Sequence, residues 1–236
     1  MKIQLKGRYR YDMKILSNWL LTFFALTLLS TTTIAAESLM DRINSLEPII
    51  GNYPPTIKDE ANAHAVKQQY LELKKELDIH LAQHAKDPEW LFMRGYLQGM
   101  GHNLDDPGTW QGATHDLKAV LKINPAHIPA MLALGRLWVN SDLTFAHKAE
   151  TLFRSAQCYQ GSKPLEEAQR GIFFALYYQG KMQDALRQSE YLKQTWPQSE
   201  PYRKLNKTTR SVLSQSADQP VKRSISGPLN MATCHH

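Results

Sequence analysis

Cysteine is scarce in this 236-residue chain, which holds two. Two thiols cannot build a disulfide scaffold or a four-thiolate metal site, and no Cys-x-x-Cys-His exists for covalent haem. Glycine and proline, at 12 residues each, are too few for a collagen-like or proline-rich chain. The phosphate-cradling Gly-x-x-x-x-Gly-Lys-Ser/Thr, the nucleophile elbow Gly-x-Ser-x-Gly and the zinc-binding His-Glu-x-x-His are all missing. The chain is therefore not expected to be an enzyme, and no cofactor is implied.

Hydrophobic residues make up 42% and charged residues 21%, a composition that supports a packed core rather than global disorder. The net charge is +6, and its placement decides its meaning. Residues 1–36 hold five basic groups against Asp12, and residues 202–236 hold six against Asp218. That leaves seventeen basic and twenty acidic residues in 37–201, so the body is slightly acidic and the basicity lies at the two ends. A nucleic-acid partner is not expected.

Lys14 precedes an uncharged run, Ile15 to Ala36, whose most apolar part extends from Trp19 to Leu29. A basic flank, an apolar stretch and small residues before Glu37 describe a secretory signal peptide, cleaved after Ala35 or Ala36. The alternative is an uncleaved anchor, because a run of this length can span a bilayer and would place the chain at the inner membrane through residues 15–36. Eight Ser, Thr or Asn residues within the run favour cleavage. Either way the body is expected to be periplasmic or secreted.

From Thr56 onward the pattern is helix after helix, and the fold class is all-α. Thr56-Ile-Lys-Asp59 reads as a capping-box-like start, with Asp in place of the usual Glu or Gln. Val66, Tyr70, Leu73, Leu77 and Leu81 then follow at helical spacing on one stripe. Residues 37–59, with Pro48, Gly51 and Pro54-Pro55, read as a short helix and a loop. Ser199 is a fair cap for a last helix to about Leu213, with Tyr202, Leu205, Thr209 and Val212 inward, and 215–236 reads as a disordered polar tail.

Small residues precede large ones at a fixed interval. Ala113, Ala149 and Ala185 are evenly spaced, each followed by apolar residues and, twice, by proline at 125 and 197. Ahead of them stand Leu91 with Gly95, then Met131, Leu134, Gly135 and Trp138, then Leu176 with Gly180. This order resembles the tetratricopeptide repeat, over about 88–125, 126–160 and 164–197. In the first repeat Arg94 stands where an apolar residue is expected; in the third, Phe173 takes a small position and Ser189 a large one. The resemblance implies antiparallel helix hairpins stacked as a short solenoid within 60–214, plus a leading helix and a capping helix. It also implies a groove lined by first helices that takes extended or helical peptides. Matched positions put Glu89, Phe92, Tyr96 and Met100 in that groove, then Leu132, Arg136 and Asn140, then Arg170, Phe174 and Tyr177.

Other candidates are weaker. His80 and His84 share a helix face, but no third metal ligand is evident and both border the apolar stripe. Cys234-His235-His236 is only compositional evidence for a metal. Cys158 reads as a packed thiol, with a disulfide to Cys234 as the alternative. Asp105-Asp106-Pro-Gly reads as a turn before a helix capped by Thr109, rather than a calcium site. The expected function is a non-catalytic adaptor that grips a peptide or client segment, resembling in organisation the periplasmic tetratricopeptide subunits of cytochrome c maturation and haem lyase systems. The alternative is a structural or accessory envelope protein, in cell division, outer-membrane assembly or polysaccharide export.

Overall fold

The computed structural model describes residues 39–215, and the signal-like segment and all of the polar tail except Gln215 lie outside them. Among the described residues every regular element is helical and no strand occurs. Residues 39–44 are helical, and a short helix spans Glu47–Ile50. Eight longer helices follow: α1 Glu60–Gln83, α2 Pro88–Gly101, α3 Thr109–Ile123, α4 Ile128–Ser141, α5 Ala146–Gln160, α6 Glu166–Tyr178, α7 Met182–Thr195 and α8 Glu200–Gln215. None of them is long and apolar enough to cross a membrane.

The starts of these helices follow from local chemistry. α1 begins a turn later than the capping-box reading places it: the extended Asp59 caps it by accepting the Asn62 N–H at 2.8 Å. Thr56 is drawn away because its own N–H donates to the Ile49 carbonyl at 2.7 Å. Asp87 caps α2, accepting from Glu89 and Trp90, and Pro88 occupies the first turn, where its missing N–H has no bond to lose. Before α3, Gly108 sits at φ 77, a left-handed turn open to glycine. Thr109 is therefore the first residue of α3 rather than its cap, and its hydroxyl donates to the Asp106 carbonyl at 2.6 Å. His127 Nδ1 accepts the Ala130 N–H at 3.1 Å and caps α4.

Each helix packs on the next along the chain, and α4 additionally touches both α2 and α6. The pairs α2–α3, α4–α5 and α6–α7 fall within 88–125, 126–160 and 164–197. Ala113, Ala149 and Ala185 are completely buried at these contacts. Phe153 of α5 wedges between two glycines: a Cβ at Gly135 would lie 2.9 Å from its ring, and one at Gly171 2.5 Å. Small residues on α4 and α6 thus admit one large ring from α5.

Two departures from the repeat pattern are accounted for by pairing. Arg94 takes an apolar position because Asp116 of α3 is buried opposite it, accepting from Arg94 Nε at 2.7 Å and Nη2 at 2.9 Å. Ser189, on a site that suits a large residue, is fully buried and accepts from Asn206 Nδ2 of α8 at 2.9 Å. A buried amide chain continues that polar seam. Gln188 donates to Gln169, which donates to Gln157 at 2.7 Å, and Gln157 donates to the Gly161 and Lys163 carbonyls. Each of these three side-chain amides finds a partner, as burial requires.

Candidate functional site

The sequence-derived candidates lie on α2, α4 and α6, the three helices joined through α4. Arg136 of α4 is the hub. Its Nη1 donates to Glu47 Oε1 at 2.8 Å and lies 3.8 Å from Glu167 Oε1 of α6. Its guanidinium sits 5.5 Å from the centre of the Tyr96 ring on α2, within cation–π range. Glu47 belongs to the leading segment, 89 residues earlier in the chain.

The electrostatics agree with that geometry. Burial pushes the Glu47 carboxyl upward, but hydrogen bonds from Arg136 and Tyr96 and the charges of Arg136 and Arg170 outweigh it, so the group lies below its ordinary range. The Tyr96 hydroxyl is pushed up to about 12, chiefly by burial, with the Arg136 charge opposing. A carboxylate, a guanidinium and a phenol thus form one partly buried polar cluster on the α2–α4 surface.

The other members of the predicted set divide into covered and open residues. Met100 is 2% exposed, Leu132 8% and Phe92 9%, so all three belong to the core. Phe92 packs on Tyr96 and on His127, with ring centres 5.8 and 5.0 Å apart. Glu89, Asn140 and Arg170 are exposed. Phe174 and Tyr177 are half-buried around Phe173, and with Tyr178 they make an aromatic ledge on α6. Arg170 has no carboxylate within salt-bridge distance among the described residues.

The leading segment is the participant that sequence reasoning missed. Leu39, Ile43, Leu46 and Ile50 are each 0–1% exposed and form a buried cluster with α1 and with Met93, Leu97 and Met100 of α2. Asn103 Nδ2 donates to the Ile50 carbonyl at 2.8 Å, Gln69 to Ser45 Oγ at 3.2 Å, and Arg42 pairs with Glu76 at 2.8 Å. The four anchors follow the spacing i, i+4, i+7, i+11, a helical signal already present in the sequence. The short helix read there is present, with Pro48 in its first turn, where proline is tolerated. A crevice of about 30 Å³ is bordered by Gly51, Tyr96, Arg136 and Asn140.

The minor candidates resolve simply. His80 stacks on Trp90 at 3.5 Å and tilts against His84 at 4.8 Å, so both rings have packing roles. His80 Nε2 has Asp87 Oδ2 at 3.5 Å, too long for a hydrogen bond. No group of three or more His, Cys, Asp or Glu able to hold a metal occurs among the described residues. Asp105 takes a left-handed turn at φ 55, and Asp106 accepts from the Tyr70 hydroxyl at 3.2 Å, consistent with a structural turn. Cys158 is half-buried and disulfide-bonded, which corrects the packed-thiol expectation. Cys234 and the terminal histidines lie outside the described residues. Comparison with known proteins finds no matching family model, no matching curated protein and no matching solved structure.

Proposed function

We propose that this chain is a non-catalytic adaptor, exported to the periplasm, that holds a peptide or client segment in a groove formed by α2, α4 and α6. In this reading α2–α3, α4–α5 and α6–α7 are three tetratricopeptide-like hairpins stacked as a short solenoid, and α8 caps the last one. Support for the stacking comes from the contacts of α4 with both α2 and α6 and from the Phe153 wedge that ties α5 to both neighbours.

One observation carries the binding reading. A helical segment from far along the chain already lies against α2, its apolar anchors packed on α1 and α2 and its Glu47 carboxylate paired with Arg136 of α4 beside Tyr96. Arginine and tyrosine are the side chains that dominate recognition, because each offers broad contact area with a directed polar group. The unoccupied continuation of that surface is on α6, where Arg170 is exposed beside Phe174 and Tyr177. A client's acidic or carbonyl groups would meet Arg170, and its apolar side chains the aromatic ledge.

The test is capture of client from a periplasmic extract by immobilised full-length protein. Arg170→Ala/Tyr177→Ala changes exposed and half-buried side chains, so the fold is expected to persist while capture falls by about 10-fold or more. Lys222→Ala/Arg223→Ala is the control for the basic tail and should leave capture intact at physiological salt, since flexible exposed charges are screened over about 8 Å. Undiminished capture by a folded α6 variant, with loss in the tail variant, would overturn the groove reading.

A further inference from the structure

The segment that fills the first part of this surface is connected differently from the rest of the fold. Residues 51–59, which join it to α1, have no regular structure, and Tyr53 is 74% exposed. The buried side chains form two clusters. The larger spans α1 to α8 without any fully buried residue from before α1, and the four anchors of the segment belong to the smaller one. The segment thus shares its buried cluster with α1 and α2 alone, and only the partly buried Met40 touches the larger one. Its carboxylate nevertheless reaches across α2 to Arg136, at the centre of the α2–α4–α6 surface.

We propose that residues 39–50 are a built-in occupant of the edge of the groove, seated on α1 and α2 with Glu47 reaching Arg136, and that the partner taken in trans is a helix of the same chemistry that exchanges with it. The inference rests on the groove reading above and defines the ligand class more narrowly. That ligand is an amphipathic helix with branched apolar anchors at i, i+4, i+7 and i+11 and a carboxylate one residue after the third anchor. The anchors would enter the bed that Leu39, Ile43, Leu46 and Ile50 now fill, and the carboxylate would take the place of Glu47 against Arg136 and Tyr96. Because the resident segment is covalently attached, it competes at high effective concentration. An incoming helix therefore binds with an apparent affinity reduced by the fraction of chains whose groove is free.

The experiment uses a fluorescently labelled peptide of residues 39–52 as the trans helix, titrated against the full-length chain. Wild type should bind weakly. Glu47→Arg sets a third positive charge beside Arg136 and Arg170, unseats the resident segment and should tighten peptide binding by about tenfold or more. Glu47→Arg/Arg136→Glu restores an opposite-charge pair within the chain and repels the peptide's own carboxylate, so binding should return to the weak level. Equal affinity in wild type and Glu47→Arg would overturn the proposal, as would tight binding that survives the charge exchange. Dimers of Glu47→Arg that share the segment between two copies, with no gain for the peptide, would overturn it too.

Hydrogen exchange on the wild-type chain gives a readout that does not depend on any variant folding. Saturating peptide should speed exchange of the amides of 43–50 by about tenfold or more while leaving those around Leu97 unchanged. No change at 43–50 would mean that the segment is a fixed part of the fold. The groove reading has its own readout, client capture through Arg170 and Tyr177. It can stand if the exchange experiment fails, and it can fail if the exchange experiment succeeds.

Discussion

Replacing Gly171 by alanine adds one methyl group, and the structure places that methyl 2.5 Å from the Phe153 ring. Carbon atoms pack at about 3.5–4.0 Å, so the ring or α6 must move by about 1 Å. The ring cannot retreat freely, because the same ring edge also lies 2.9 Å from where a Cβ at Gly135 would be, and Phe153 is 1% exposed. Overpacking of this kind costs about 1–3 kcal/mol. Alanine recovers up to about 1 kcal/mol through its better helix propensity. The net expectation is a loss of about 1–2 kcal/mol, and each 1 kcal/mol corresponds to about 2–4 °C in Tm for a chain of this size. Urea denaturation read by circular dichroism measures it, provided the m-value is unchanged. The diagnostic step is a double-mutant cycle. Phe153→Leu removes the obstructing ring edge, so Gly171→Ala should cost much less in that background, with a coupling of about 0.5–3 kcal/mol. A Gly171→Ala variant at least as stable as wild type, or strict additivity with Phe153→Leu, would refute the wedge.

Other outcomes follow from the same contacts. Arg94→Ala should cost about 3 kcal/mol in urea, because it leaves the buried Asp116 carboxylate with only the exposed His115 ring beside it, whereas Arg94→Met/Asp116→Leu should recover most of that loss. Glu47 has a folded-state carboxyl below its ordinary 4.5, so its stabilisation is full above that value and fades as pH falls through the folded value. Glu47→Gln should therefore flatten the acid limb of the stability curve, as followed by melts between about pH 2 and 6. A fusion of residues 1–45 to a reporter active only outside the cytoplasm should be active, and a silent fusion would contradict export.

Much of the helical layout was legible because its signals are local. The stripe from Val66 to Leu81 emerges as the buried face of α1, and the even spacing of Ala113, Ala149 and Ala185 marks three fully buried contacts. Gly135 was legible as a position of the repeat, whereas its companion Gly171 was not, since only the fold brings both against one phenyl ring. Arg94, Ser189 and the glutamines of α5, α6 and α7 broke the apolar pattern because their partners lie on other helices, and pairing across helices has no fixed spacing in sequence. The site shows the same division. Tyr96 and Arg136 are neighbours on the surface where helical register put them, but register says nothing about occupancy. Glu47 engages Arg136 there while the four anchors before α1 pack on α1 and α2, which leaves Arg170 exposed and Tyr177 half-buried on α6.

The central claim, that the α2–α4–α6 surface is where a client is held, is tested most directly by site-specific photo-crosslinking. A photoreactive phenylalanine analogue placed at Tyr177 on α6 is compared with one at Tyr191 on α7, outside the predicted groove and 38% exposed. Both proteins are irradiated in cells that express the full-length chain, and adducts are resolved by mass. The account predicts a discrete adduct from position 177 that disappears with Arg170→Ala, and none from position 191. Adducts from position 191 with none from position 177 would contradict it.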